Sequence, residues 1–240
     1  MSDRIMRIVV FILAVAFAVS PFFSSGFGGF YRESFPVQVS RWPAQPAGWA
    51  FSIWGLIYIG LILASGRALL QPGRTPEWGR VAQPLGISLL IGVFWIEAAT
   101  RAPVLATVMI LPMAAGAIIA MLRAGREWPQ LLPLGLYAGW LTAASGVALS
   151  VVLTGYGLLS AGSAATLLLV AVLVTALAVA ALRPAAWGYR AGVIWALIGV
   201  IAANVSAKDW LVVAICGVGI ILLIVGQARQ WQKATRSCRL

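Results

Sequence analysis

Eight apolar runs constrain this chain more than any other feature. They cover 5–23, 48–70, 81–98, 103–122, 131–154, 163–182, 187–206 and 210–227. A hydrocarbon layer of about 30 Å needs about 20 helical residues at a rise of about 1.5 Å each. Each run is close to that length. The rest of the chain cannot hide them: 62% of residues are hydrophobic and 10% charged, and mean hydropathy is +0.97. A soluble domain holds about 45–50% and about 25%. The ten-residue alternation of a membrane β-barrel is absent. The predicted fold is therefore all-α, a polytopic membrane helix bundle of about eight transmembrane helices.

Charge supplies an independent count. The net charge is +11, from 17 Lys/Arg against 6 Asp/Glu. With a cytoplasmic N-terminus, thirteen of the 17 basic residues fall in inside segments, among them Arg4, Arg7, Arg67, Arg123 and Arg183. Only Arg32, Arg41, Arg101 and Lys208 fall outside. Such an alternation orients membrane proteins, and it predicts eight spans with both termini cytoplasmic. The basic balance then reports orientation in a lipid bilayer rather than a nucleic-acid partner. Arg4, Arg7 and the apolar run after them resemble a signal peptide; the expectation is an uncleaved helix ending at Ser20–Pro21.

Chemistry is thin. There is no histidine, which removes imidazole ligands, Ser-His-Asp and Cys-His catalysis and imidazole proton relays. Cys216 and Cys238 form no CxxC, so no thiolate metal site is expected. Glu97 and Arg101, four apart, read as an interfacial ion pair or a gate. Arg67 is expected to snorkel, and Lys208 and Asp209 share the last outer turn. The mid-span hydroxyls of Ser88, Thr107, Thr142, Ser145, Ser150, Thr166 and Thr175 read as bonded to carbonyls of their own helices, as does Asn204 near an outer end. No paired carboxylates or nucleotide loop appear, so the chain is not expected to be an enzyme. Gly135 and Gly139, like Ala144 and Ala148, have the spacing that lets helix backbones approach in lipid, within the bundle or at a homodimer or larger complex.

Tryptophan is the unusual residue, with eleven copies. Trp78, Trp128, Trp187, Trp210 and Trp231 fall near span ends, as an aromatic belt would. Trp54, Trp95, Trp140 and Trp195 lie deeper, where each indole N–H needs an acceptor. They either fill the core or line a pocket for a flat apolar ligand. The longest irregular segment, 24–47, is rich in Gly, Pro and aromatics and poor in charge. It is predicted to fold over the outer mouth of the bundle as a lid.

The end of that loop reads Trp42-Pro-Ala-Gln-Pro-Ala-Gly-Trp-Ala-Phe-Ser-Ile-Trp54-Gly-Leu-Ile-Tyr58. It resembles the TspO/MBR family (translocator protein, or tryptophan-rich sensory protein), most of all its longer bacterial form, which implies a bacterial inner membrane. Pro46, Trp54 and Tyr58 fit the family spacing. Leu136-Tyr-Ala-Gly-Trp140 resembles its fifth helix, and Trp95 matches its third-helix Trp. Three positions depart: Gln45 replaces the first Pro of a pair, and Gly92 and Ala148 replace two Asn.

The resemblance implies a TspO-like five-helix core over 1–155, capped by loop 24–47, followed by three additional helices and a basic tail over 156–240. It implies a non-enzymatic receptor or carrier for a hydrophobic planar ligand, tetrapyrrole-like, in a Trp-lined pocket. The site residues it points to are Pro46, Phe51, Trp54, Tyr58, Trp95, Tyr137 and Trp140. The bound molecule would be a non-covalent porphyrin, carotenoid or lipid, with no metal site of the protein's own. Two other readings stand beside this one. One is an accessory subunit of a larger membrane complex, such as a pigment–protein assembly. The other is a secondary transporter, for which Ile53-Trp-Gly-Leu-Ile and Ile194-Trp-Ala-Leu-Ile are a faint inverted echo.

Overall fold

The computed structural model describes residues 3–24 and 28–237, with side chains through 227. Cys238, Arg239 and 25–27 of the first loop lie outside the described residues, as does the side chain of Trp231. Among the described residues, eight α-helices run α1 (Asp3–Val19), α2 (Ile53–Leu70), α3 (Trp78–Arg101), α4 (Pro103–Arg123), α5 (Trp128–Gly155), α6 (Ala161–Leu182), α7 (Trp187–Val205) and α8 (Trp210–Ser237). All eight are long and apolar enough to cross a membrane. The loop before α2, the α3–α4 turn, the α5–α6 turn and the α7–α8 turn share one end of the bundle, here the loop end. The remaining turns share the opposite, terminal end.

Burial decides which helix is central. In α5, 67% of the membrane window is buried, against 22% in α1 and in α8. Around α5 pack α4, α6, α7 and α2, while α1 sits on α2 and α3, and α8 on α6 and α7. One continuous core reaches from Val10 to Leu223 and so passes across position 155.

The α5–α7 contact is backbone on backbone. Gly135 and Gly139 of α5 face Gly188 and Gly192 of α7. A Cβ on Gly135 would stand 2.6 Å from the Tyr189 nitrogen, and one on Gly192 2.7 Å from the Leu136 carbonyl oxygen. Gly139 meets the Tyr189 carbonyl and Gly188 the Leu132 carbonyl more closely still. In lipid, van der Waals packing drives helix association, and these glycines supply it.

Several mid-span hydroxyls are answered within their own helices. Thr107, Thr142, Ser145 and Thr175 each donate to the carbonyl four residues earlier at 2.8–2.9 Å. Ser88 departs from that pattern by donating across to the Met113 carbonyl at 2.7 Å. Arg7 is buried, and it binds the Ala68 carbonyl, the Thr75 hydroxyl and carbonyl, and Asp3. It thereby draws the α2–α3 turn inward. Trp78, expected in an interfacial belt, follows that turn and is fully buried. Trp128, Trp187 and Trp210 are exposed at helix starts, as a belt requires. Arg67 pairs with Glu127 at 2.6 Å, and Glu97 pairs with Arg101 on an exposed surface.

Candidate functional site

The first loop is held over the loop end by buried aromatics and backbone bonds. Phe35 packs on Trp42 and Tyr156 with ring centroids 5.3 and 6.1 Å apart, and fits against Gly155. The Val37 amide donates to the Gly155 carbonyl and the Ala47 amide to the Gly199 carbonyl, both at 3.0 Å. Gly199 is required there, because a Cβ would meet Pro46 and Ala50 at 2.8 and 2.7 Å. At its far corner Asn204 donates to the Pro43 carbonyl at 2.8 Å, while Arg41 binds both Asn204 and Asp209.

Beneath the loop lies a narrow apolar cavity of about 40 Å³. Gly29, Phe30, Gln45 and Pro46 form its roof. Phe51, Trp54, Trp95 and Trp140 form one wall, and Ala143, Ala144 and Val147 continue it along α5. The opposite wall comes from Leu169 and Val172 of α6 and Ala196, Leu197 and Val200 of α7. Among the described residues, no ionisable side chain lines it. The Gln45 side-chain oxygen Oε1 already accepts from the Phe30 backbone amide at 3.0 Å. The cavity is a carbon-walled slot: it favours an apolar body and offers nothing to an ion.

Five of the seven residues singled out from sequence therefore meet at one cavity: Pro46, Phe51, Trp54, Trp95 and Trp140. Tyr58 and Tyr137 stand behind it. Tyr58 stacks on Trp54 at 5.4 Å and 19°, and the Tyr137 hydroxyl shares a hydrogen bond with Ser88 at 2.8 Å. Phe17 of α1 joins them, edge-on to Trp54 at 5.6 Å and to Tyr58 at 5.0 Å. It also accounts for Gly92. The Phe17 ring lies where a side chain at 92 would go, 2.8 Å from a Cβ built there. Trp95 donates its indole N–H to the Ala106 carbonyl at 2.9 Å, which fixes it to α4. Trp195 does not border the cavity. It donates to the Ala50 carbonyl at 2.8 Å and meets Trp49 edge-on, pinning the turn that opens α2.

A family model described as TSPO-like protein matches residues 5–228. The chain belongs to that family. The TSPO-like match takes in all eight spans, including α6 and α7, whose side chains close the cavity. No curated protein and no solved structure matches the chain. The α6 and α7 residues of this TSPO-like chain were not legible as site residues, because Leu169 or Val200 in an apolar helix looks like any other packing residue. The roof residue Phe30 was foreshadowed only by the aromatic content of the loop.

Proposed function

We propose that this TSPO-like protein is a non-enzymatic receptor or carrier that binds a planar hydrophobic ligand, tetrapyrrole-like, in the cavity under the first loop. The observation that carries the reading is the convergence of Trp54, Trp95, Trp140 and Phe51 on one slot roofed by 29–30 and 45–46. Indole and phenyl faces stack on flat conjugated rings, and the wall carries no charge to oppose them. Without histidine, the ligand is best taken as metal-free or weakly ligated. At about 40 Å³ the cavity has room for only a few waters, each needing about 10–15 Å³. Binding a ring system therefore requires the roof to lift.

The test is a tryptophan-fluorescence titration of the purified protein with protoporphyrin IX, beside a Trp54→Phe/Trp140→Phe double variant. Saturable quenching weakened in the variant supports the reading. Linear quenching equal in both proteins is detergent partitioning and overturns it. Flux into proteoliposomes then separates a carrier from a receptor.

A second reading, an accessory subunit of a larger complex, is favoured by the groove between α4 and α6. Its floor includes Thr142 and Ser145 of α5, short enough for a partner helix to seat closely. Extraction in mild detergent with native mass measurement tests it. A monomer without companions counts against it.

A further inference from the structure

We infer that the groove between α6 and α8 at the loop end holds a phospholipid with a primary-amine head, its ammonium bound by Asp209 and Thr166. The groove shares no residue with the cavity under the first loop, and the inference is independent of what that cavity binds. An open space of about 560 Å³ lies between the two helices. Both helices start at the loop end, so position along them is depth in the membrane. Ser163 and Asp209 stand at the mouth and Thr166 a turn further in, while Leu167, Val170 and Leu211 give the groove an exposed apolar wall. That gradient fits an amphiphile with its head at the mouth and its chain on the wall. An apolar helix seated there would turn carbon toward the carboxylate and the hydroxyls, and leave them unpaired.

The oxygens at the mouth have capacity left. Asp209 gives Oδ2 to Arg41, but its Oδ1 meets only the Val212 amide, at a long 3.4 Å. Its side chain is 22% exposed, so a head group can reach it. Thr166 breaks the rule of the other mid-span threonines. Thr107, Thr142 and Thr175 each bond a carbonyl of their own helix, whereas the Thr166 hydroxyl, expected from sequence to do the same, forms no hydrogen bond among the described residues. Ser163 accepts from the Ser160 hydroxyl at 2.9 Å and keeps its own proton for a phosphate oxygen. A primary ammonium brings three N–H donors to such acceptors, and a charge-assisted bond is the stronger kind. A choline head brings the same charge and no N–H. Arg41 on the other carboxylate oxygen and Lys208, exposed in the same turn, oppose any added cation. Selectivity therefore comes from the N–H donors rather than from charge.

The experiment is native mass spectrometry of the delipidated full-length protein, given equal amounts of phosphatidylethanolamine and phosphatidylcholine with identical acyl chains. The unaltered protein is expected to retain the ethanolamine lipid roughly tenfold more, the effect of one charge-assisted hydrogen bond. Thr166→Val keeps the shape of the side chain, leaves Asp209 and Arg41 untouched and brings the ratio toward one; Thr166→Ser keeps the preference. Val170→Trp fills the groove from a position that is 45% exposed and abolishes the preference without disturbing the core. Equal retention of the two lipids by the unaltered protein overturns the inference. So does a preference that survives both Thr166→Val and Val170→Trp, which places the lipid elsewhere. A dimer that excludes lipid, and that Val170→Trp dissociates, overturns it in favour of a second copy of this chain in the groove.

Discussion

Arg41 donates to the Asp209 carboxylate at 2.5 Å, across 168 positions of chain. The same guanidinium binds the Asn204 amide oxygen, and Asn204 in turn donates to the Pro43 carbonyl. The first loop is thus fastened to the corner between α7 and α8, on the side of the cavity formed by the last helices. Asn204 is fully buried, so removing its amide strands the polar groups it serves, at about 1–3 kcal/mol. Asn204→Ala is expected to speed hydrogen exchange at the Ala47 amide roughly tenfold, by the same arithmetic. Asp209→Asn should act in the same direction but less, and raised salt should mimic it, because this pair is partly solvated. Unchanged exchange at Ala47 and Val37 in Asn204→Ala would remove the fastening role.

The α5–α7 seam makes a second prediction. Gly139→Leu puts a branched side chain where the Tyr189 carbonyl already excludes a Cβ. The helices must separate, at a cost of about 1–3 kcal/mol or more. The melting temperature in detergent should fall, and the cavity wall contributed by α7 should be lost with it. Gly217→Leu is the control, since nothing lies within 4 Å of a Cβ at that position. Equal melting of the two variants would mean the close approach carries little stability.

Arg7 provides a third. Its guanidinium bridges Asp3, the Ala68 carbonyl and two atoms of Thr75 while almost wholly buried. Arg7→Leu leaves those acceptors unpaired and should cost about 1.5–3 kcal/mol, the range for hydrogen bonds to a charged group. Arg7→Lys should recover only part, because a single ammonium does not reproduce the planar fork. Thermal unfolding of the three proteins in one detergent decides it. A lysine variant as stable as the parent would reduce Arg7 to an orienting charge.

Orientation is the fourth. The split of basic residues between the two ends predicts that the terminal end faces the cytoplasm. A fluorescent-protein fusion after residue 240 should glow, and an alkaline phosphatase fused there should be inactive. The reverse pattern would place the first loop and its cavity on the cytoplasmic side.

Much of the helix count was legible beforehand. Runs such as 48–70 and 210–227 coincide with spans in the structure, because lipid tolerates only helices whose backbone bonds are satisfied internally. The spacing of Gly135 and Gly139 marked a close helix approach beforehand, but not that α7 is the partner. The cavity was half legible. Trp54 and Trp140 stand out because a deep indole is unusual. Leu197 and Val172 do not, because in a uniformly apolar helix no periodicity marks the face turned to a cavity rather than to lipid. Trp78 was misplaced for a related reason. Its position near a span end suggested a belt, but the turn before it is tied to Arg7 of α1 and the indole is buried.

The sequence by itself determined that this chain is a bundle of about eight membrane helices with little ionisable chemistry inside it. That follows from hydropathy and composition, which act on each segment separately. Which helices touch, and which side chains share a cavity, was decided by the tertiary structure alone. The closing wall comes from α6 and α7 because glycines let α7 lie directly on α5, and Arg41 reaches across to Asp209 at the corner between α7 and α8. Both depend on residues far apart in the chain, and a one-dimensional pattern does not encode such distances.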